Sequence, residues 1–335
     1  MKTAVVQVDS ERISKEKIQE AALLIKKGEL VAFPTETVYG LGGDALNPKA
    51  SQKIYQVKGR SDTKPLIVLI AAMEDLKQIV SEVPVNAKKL AEVFWPGPLT
   101  MVLKKSEKVP YETTGGKETV AVRMTPGPIA RALTIASGGF LTAPSANTSG
   151  KPSPTLAEHV LCDLDGKIPM ILDGGAGGSG IESTIVDLTG EEPVILRSGY
   201  ISAEEIRKVI GTVRIKEQDN EKHYAPKAEL ILVEGTTEHV IQKINELAIA
   251  LEKEGGKAGI IATDETVSFY EAGEVLSLGA RKDEEALAKH LYQILREFDK
   301  KGVDRIYSEN FEAEGIGQAV ADRLRKAAGN QVIHV

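Results

Sequence analysis

At 335 residues the chain is long for a single hydrophobic core, so two domains are expected. A hydrophobic fraction of 42% beside 27% charged residues is that of a soluble globular protein, and no apolar run approaches the roughly 20 residues that span a bilayer. The net charge of −6 conceals an asymmetry: residues 51–150 hold 13 basic against 8 acidic side chains, a local excess that suits a small anion better than a long nucleic acid.

Taken in chain order, Ile18, Ala21, Ala22 and Ile25 recur at helical spacing before Gly28, which predicts a helix over 14–27. A strand over 30–33 runs into Pro34. There the chain is expected to stop burying itself and to display Thr35, Glu36, Thr37 and Tyr39 on a turn hinged by Gly40, Gly42 and Gly43. Strand patterns follow at 65–70, 99–104, 119–124, 170–173, 183–188 and 193–197, with helical patterns near 49–57, 73–80, 86–94, 128–137 and 155–162. The runs 183–188 and 193–197, parted only by TGEEP, read as an antiparallel hairpin, so the first sheet should be mixed.

After a short helix at 202–209, residues 211–228 are polar and aperiodic and read as a linker. Alternation then resumes: strand 229–233, helix 237–253, strand 257–262, a short strand near 275–278, helix 283–300, strand 303–307, helix 316–328 and strand 331–334. The expected class is α/β throughout. The domains are taken as 1–210, a linker at 211–228, and 229–335 as a smaller three-layer α/β domain with a mostly parallel sheet.

Four loops could carry chemistry. Lys58-Gly-Arg60, with Lys64 close behind, is either a basic helix C-terminus or a clamp for a triphosphate. Alternation in TVAVRM puts Thr119, Ala121 and Arg123 on one strand face, where Arg123 makes a structural ion pair or a fork for a carboxylate. The stretch LTAPSANTSGKPSPT is either a set of polar turns or an oxyanion cradle. Gly175, Gly177 and Gly180 match G-x-G-x-x-G, but the next element is a strand rather than a helix, so dinucleotide binding is rejected; the glycines are expected to let the backbone approach a ligand. Trp95-Pro-Gly-Pro98 reads as structural, with Trp95 in the core.

No G-x-x-x-x-G-K-[ST] and no G-x-S-x-G elbow occur. The single cysteine, Cys162, excludes an intrachain disulfide, and the five scattered histidines show no ligand spacing. The opening MKTAVVQVDSER turns charged too early for a secretory signal. A cytoplasmic protein without a structural metal is expected, with a site that holds anions together and works by proximity and charge neutralisation.

PTETVYGLGGDA, KGR with PLIVLI, WPGPLT, VAVRM, APSAN, and GIESTIVDL with LRSG occur in that order and closely resemble the YrdC-like threonylcarbamoyl-AMP synthase family over residues 13–200. KHYAP and the trailing α/β domain resemble the family's long, two-domain form. The resemblance implies a YrdC-like twisted mixed sheet and a nucleotidyltransferase that makes L-threonylcarbamoyladenylate and pyrophosphate from L-threonine, bicarbonate and ATP. The product would pass to a separate transferase complex that modifies adenosine beside the anticodon of ANN-decoding tRNAs. Direct tRNA contact stays open, and no membrane partner is implied.

Carried over by position, the resemblance implies that Thr37, Arg123, Ser145 and Ser183 hold threonine. It makes Lys58 and Arg60 catalytic. Arg60, Lys64, Thr119, Ala143 through its backbone, Asn147, Ser153, Arg197 and, from the linker, Tyr224 would contact ATP. Mg²⁺ is expected to accompany ATP, held by phosphates, with no metal-binding protein side chain. Two positions depart from the family pattern: Leu69 stands where members often carry histidine, and the Pro-Gly-Met lead-in to KHYAP is missing. The competing readings are a carbamoyl-adenylating maturation factor, disfavoured because there are no cysteine pairs for a zinc finger, and a double-stranded RNA-binding module, disfavoured by a pI near 5.6.

Overall fold

A computed structural model describes residues 2–216, 221–311 and 315–335. The chain divides into two compact units, Met1–Ser149 with Ser153–Glu217, and Gly150–Pro152 with Gln218–Val335.

The first unit opens with β1 (Ala4–Gln7) and α1 (Lys15–Lys26). Ser14 accepts the Lys17 N–H at the start of α1, and Gly28, at φ 80°, takes the left-handed turn that ends it. Then come β2 (Val31–Pro34), β3 (Tyr39–Gly42), α2 (Pro48–Lys58), β4 (Ile67–Ile70), α3 (Met73–Ile79) and α4 (Val85–Phe94). The series continues with β5 (Leu99–Lys104), α5 (Tyr111–Thr114), β6 (Thr119–Met124), α6 (Pro128–Ser137), β7 (Leu141–Thr142) and α7 (Ala157–Leu164). It closes with β8 (Met170–Asp173), β9 (Thr184–Asp187), β10 (Val194–Arg197), α8 (Ala203–Ile210) and β11 (Arg214–Ile215).

Two sheets form where one mixed sheet was expected. The four-stranded sheet runs β1-β8-β2-β3 and the seven-stranded sheet β11-β10-β9-β5-β6-β4-β7. In the smaller sheet Val31 and Phe33 pack with Ala21 and Ile25 of α1 and Ile129 and Leu133 of α6. Leu30 and Ala32, one residue out of phase, pack with Ile54 of α2 and Val160 of α7. Both faces are thus buried, which is why the strand reads as a continuous apolar run. In the larger sheet Val120 and Val122 face a core shared with Leu76, Leu90, Trp95 and Ile206. The Trp95 indole N–H donates to Leu99 O at 2.7 Å. The expected 183–188/193–197 hairpin is present as antiparallel β9–β10.

The main correction in this unit concerns the turn after Phe33. The chain does not stop burying itself: Pro34 is the last residue of β2, and β3 pairs antiparallel with β2 directly beyond the turn. From Val31 to Gly43 only Glu36 is partly exposed. The glycines there serve packing, since a Cβ on Gly42 would come within 2.6 Å of the Phe33 ring and one on Gly43 within 2.9 Å of Leu30. Three short elements also lacked a sequence signal: β1, α5 and β11. Of the expected linker, residues 217–220 lie outside the described residues.

The second unit contains β12 (Glu229–Glu234), α9 (Thr237–Lys253), β13 (Ala258–Ala262), β14 (Glu274–Ser277), α10 (Glu284–Lys301), β15 (Arg305–Glu309), α11 (Gly315–Ala328) and β16 (Val332–His334). The sheet order is β14-β13-β15-β12-β16 and every pairing is parallel. Val240, Ile244 and Ala248 of α9 pack on Ala258, Ile260 and Ala262. On the opposite face, a Cβ added to Gly259 would lie 2.8 Å from Phe298 of α10, so three layers result.

Candidate active site

The turn between β2 and β3 is a hydrogen-bonded chain of hydroxyls. Thr35 Oγ1 donates to Val38 O at 2.7 Å and lies 2.9 Å from Thr37 Oγ1. Because the Thr35 proton is engaged, Thr37 donates to Thr35 and has lone pairs to offer. One of them accepts Arg123 Nη1 at 3.2 Å. Arg123, the last residue but one of β6, has a side chain only 5% exposed.

A buried guanidinium needs a counter-charge. Glu36 supplies it, with Oε1 3.3 Å from Arg123 Nε. The other carboxylate oxygen, Oε2, accepts the Thr125 hydroxyl at 2.6 Å, and Thr125 Oγ1 accepts the Gly127 N–H at 3.1 Å. Burial lowers the Arg123 pKa, Glu36 raises it and Arg197 lowers it. Arg197 ends β10 and forks onto Ser183 O through Nε (3.1 Å) and Nη2 (2.8 Å), with Nη2 also 3.1 Å from Ser183 Oγ. Ser183 Oγ lies 2.8 Å from Thr100 Oγ1 of β5. Thr37 of the β2–β3 turn, Arg123 of β6, and Ser183 and Arg197 of the β9–β10 hairpin are therefore brought together from three regions of the chain.

The glycine loop after β8 clamps this turn from outside. Gly178, Ser179 and Gly180 donate their N–H groups to the carbonyls of Thr35, Glu36 and Thr37 at 3.2, 2.9 and 3.1 Å. A Cβ on Gly178 would sit 2.0 Å from Glu36 O. The loop's glycines thus allow close approach to another stretch of this chain, where approach to a ligand had been expected. Tyr39 adds a tie, donating to Gly175 O at 2.6 Å; burial, and then Asp173, raise its pKa.

The Ser145–Asn147 loop is held from below. Lys58 is buried, and its ammonium donates to Ser145 O and, at 2.7 Å, to Asn147 O. Ser149 N–H donates back to Lys58 O at 2.8 Å, and Thr148 N–H donates to Asp163 Oδ2 at 3.3 Å. Burial pushes the Lys58 pKa down to about 7, helped by Arg60 and opposed by Asp163. The loop is also zipped to β3, with Leu41 N–H on Pro144 O and Ala146 N–H on Tyr39 O.

The other expected residues are spread around this centre. Arg60 Nη2 donates to Pro65 O at 3.2 Å, and Tyr55 donates to Lys64 O at 3.1 Å. Ala143 N–H bonds Ile67 O, and Ser153 Oγ donates to Glu182 Oε1 at 2.6 Å. Thr119 lies at the opposite end of β6 from Arg123, about 13 Å away at the usual strand rise. Tyr224 falls in the second unit, at φ 60°, edge-on to His223, 5.6 Å from the Tyr292 ring and beneath Arg323. Sequence reasoning did not assign Thr100, Thr125, Asp163 or Glu182. Thr100 lies inside the apolar run of β5 and Asp163 inside α7, while Thr125 and Glu182 lie in the loops beside β6 and β9. Among the described residues, no group of three or more His, Cys, Asp or Glu side chains could hold a metal ion, and no helix is long and apolar enough to cross a membrane.

Comparison with known proteins matches residues 23–199 to the Sua5/YciO/YrdC family profile, described as "Telomere recombination", and residues 201–329 to "Threonylcarbamoyl-AMP synthase, C-terminal domain". A threonylcarbamoyl-AMP synthase of Pyrococcus abyssi is 49% identical over 97% of this chain and 98% of its own length. One of Bacillus subtilis is 45% identical, covering 94% of each. The crystal structure of P. abyssi Sua5 complexed with L-threonine superposes with a TM-score of 0.94 at 47% identity, covering 99% of this chain and 100% of that one.

Proposed function

The chain belongs to the threonylcarbamoyl-AMP synthase family, and from that membership we infer how its own residues divide the reaction. It is an L-threonylcarbamoyladenylate synthase, a nucleotidyltransferase with L-threonine as a substrate. In this family the product serves threonylcarbamoyl modification of adenosine next to the anticodon of ANN-decoding tRNA. ATP and bicarbonate complete the substrate set we propose, with a separate transferase complex receiving the product.

The observation that carries the assignment is the Arg123–Thr37 pair beside Ser183 and Arg197. Arg123 offers a fork for the threonine carboxylate. Thr37, whose proton goes to Thr35, presents an acceptor and so suits the substrate's hydroxyl or amine rather than its carboxylate. Ser145 closes the amino-acid pocket from the loop above Lys58. Along β6 the positions 119, 121 and 123 share a face, so threonine at the Arg123 end leaves the Thr119 end for ATP. Arg60, Lys64, Asn147, Ser153 and the Ala143 backbone belong to that second half, and Lys58 serves it by fixing the loop.

In the proposed sequence the neutral threonine amine attacks bicarbonate, giving the carbamate and water. A carbamate oxygen then attacks the α-phosphorus of ATP, the bond to the β-phosphate oxygen breaks, and pyrophosphate leaves. The protein holds two anions in line and neutralises them, which agrees with a site rich in cations and hydroxyls. Mg²⁺ would enter with ATP, neutralising phosphate charge. Among the described residues no cluster of carboxylates stands ready for it, so the phosphates would hold it.

The test is pyrophosphate release with each substrate omitted in turn. Release should require threonine and bicarbonate together. Release indifferent to threonine would sink this assignment.

A further inference from the structure

Glu36 has no place in the substrate contacts above, yet it is the carboxylate beside the buried Arg123. Its side chain is 12% exposed and points at Arg123 Nε, not at the Nη1 edge that meets Thr37. Its second oxygen is fixed by Thr125, whose hydroxyl is in turn fixed by the Gly127 N–H. Its main chain is pinned by Ser179 N–H and by the near-contact of Gly178. Oε1 and Arg123 Nε meet as an ion pair without a hydrogen bond, so Thr125 on Oε2 is what fixes the carboxylate.

The charges complete the argument. Arg123 and Arg197 are two fixed cations within electrostatic reach of each other, and Glu36 is the carboxylate paired with Arg123. These three groups sum to one positive charge, which one substrate carboxylate cancels; Glu182, buried and bonded by Ser153, is a further carboxylate next to Ser183. Without Glu36 the buried Arg123 and half-buried Arg197 would lose that negative partner, and the pair would recruit small anions from the solvent.

We propose that Glu36 is a positioning residue of the threonine pocket, held by Thr125, that turns the Arg123 fork toward the substrate carboxylate and sets the pocket's charge to accept one carboxylate. The inference rests on the assignment of Arg123 to the threonine carboxylate. It adds a second function to that assignment, which is exclusion of competing inorganic anions.

The test is threonine binding by calorimetry, without ATP or bicarbonate, in roughly 150 mM chloride and again with chloride replaced by bulky methanesulfonate at the same ionic strength. Glu36→Gln should weaken binding about tenfold in chloride, the scale of one charge-assisted contact, and recover most of that in methanesulfonate. The wild type should change far less between the two anions. Thr125→Val should show a smaller loss of the same kind, and Thr125→Ser should restore wild-type affinity because it keeps the hydroxyl. A Glu36→Gln protein with wild-type affinity in both anions overturns the proposal, and so does an equal loss in both. If Glu36→Gln does not fold, Thr125→Val and its serine rescue decide the question by the same two outcomes. Arg123→Met separates the premises: lost threonine binding there, beside unchanged Glu36→Gln, overturns only this inference. Unchanged binding in Arg123→Met removes the pocket assignment and this proposal with it.

Discussion

Arg123 and Lys58 are both buried cations, one at the Thr35–Thr37 turn and one at the Ser145–Asn147 loop, and they resolve their burial in opposite ways. Arg123 has a carboxylate partner, donates Nη1 to the Thr37 hydroxyl and shares its surroundings with a second arginine. Lys58 has no carboxylate within salt-bridge distance among the described interactions and spends its N–H groups on the carbonyls of Ser145 and Asn147. The first arrangement leaves a receptor for an outside anion. The second leaves a pin that holds a loop. A motif that reads as cationic does not by itself say which of these a residue has become.

The contrast can be broken most severely at the turn that carries the Arg123 side of it. Gly178→Ala drives a Cβ into Glu36 O and should cost about 3 kcal/mol or more of stability, with threonine binding lost alongside; denaturant unfolding and calorimetry would show both. An alanine variant with wild-type stability would mean that the clamp of the glycine loop on the turn is dispensable.

Next in size is Arg123→Lys, which keeps the charge and loses the fork. Threonine affinity should fall by about 2 kcal/mol, on the scale of a charge-assisted bidentate contact, while ATP affinity changes little. Equal losses for both ligands would erase the separation between the two ends of β6.

Lys58→Met should leave the buried Asn147 carbonyl without its Lys58 donor and Ser145 O with only the Asn147 N–H, at about 1–3 kcal/mol, and its pH dependence sharpens the comparison. The folded Lys58 pKa, about 7, lies below its ordinary 10.5, so between these values the unfolded chain binds more protons and wild-type stability rises with pH. Methionine has no such gain. The deficit of Lys58→Met should therefore widen from pH 7 to pH 10, and a deficit that stays flat or narrows would return Lys58 to solvent or to a counter-ion.

The smallest effect expected is between substrates. Serine lacks one methyl group and should react with a kcat/KM lower by about 1–3 kcal/mol, measured as pyrophosphate release.

Much of the secondary structure was legible because it is periodic. The face of α1, the runs 99–104 and 119–124, and the helices 128–137 and 237–253 follow from spacing alone, since period 3.6 and period 2 are direct consequences of backbone geometry. The turn after Phe33 was misread for a related reason. Thr, Glu and Tyr look solvent-seeking one residue at a time, but here Thr37, Glu36 and Tyr39 each have a partner from a distant segment. Hydrogen-bond satisfaction across more than 80 residues leaves no local pattern.

The longer strands and helices and their order, the antiparallel β9–β10 hairpin, and the alternation that puts Arg123 on the face with Thr119 were set by local sequence. The ordered set of motifs also sufficed to indicate the family. Only the tertiary structure decided that the first unit builds two sheets, that the glycine loop closes on its own chain, that Lys58 points into a loop, and that Glu36 faces Arg123. Burial and charge pairing are properties of neighbours in space, and a sequence states its neighbours in one dimension only.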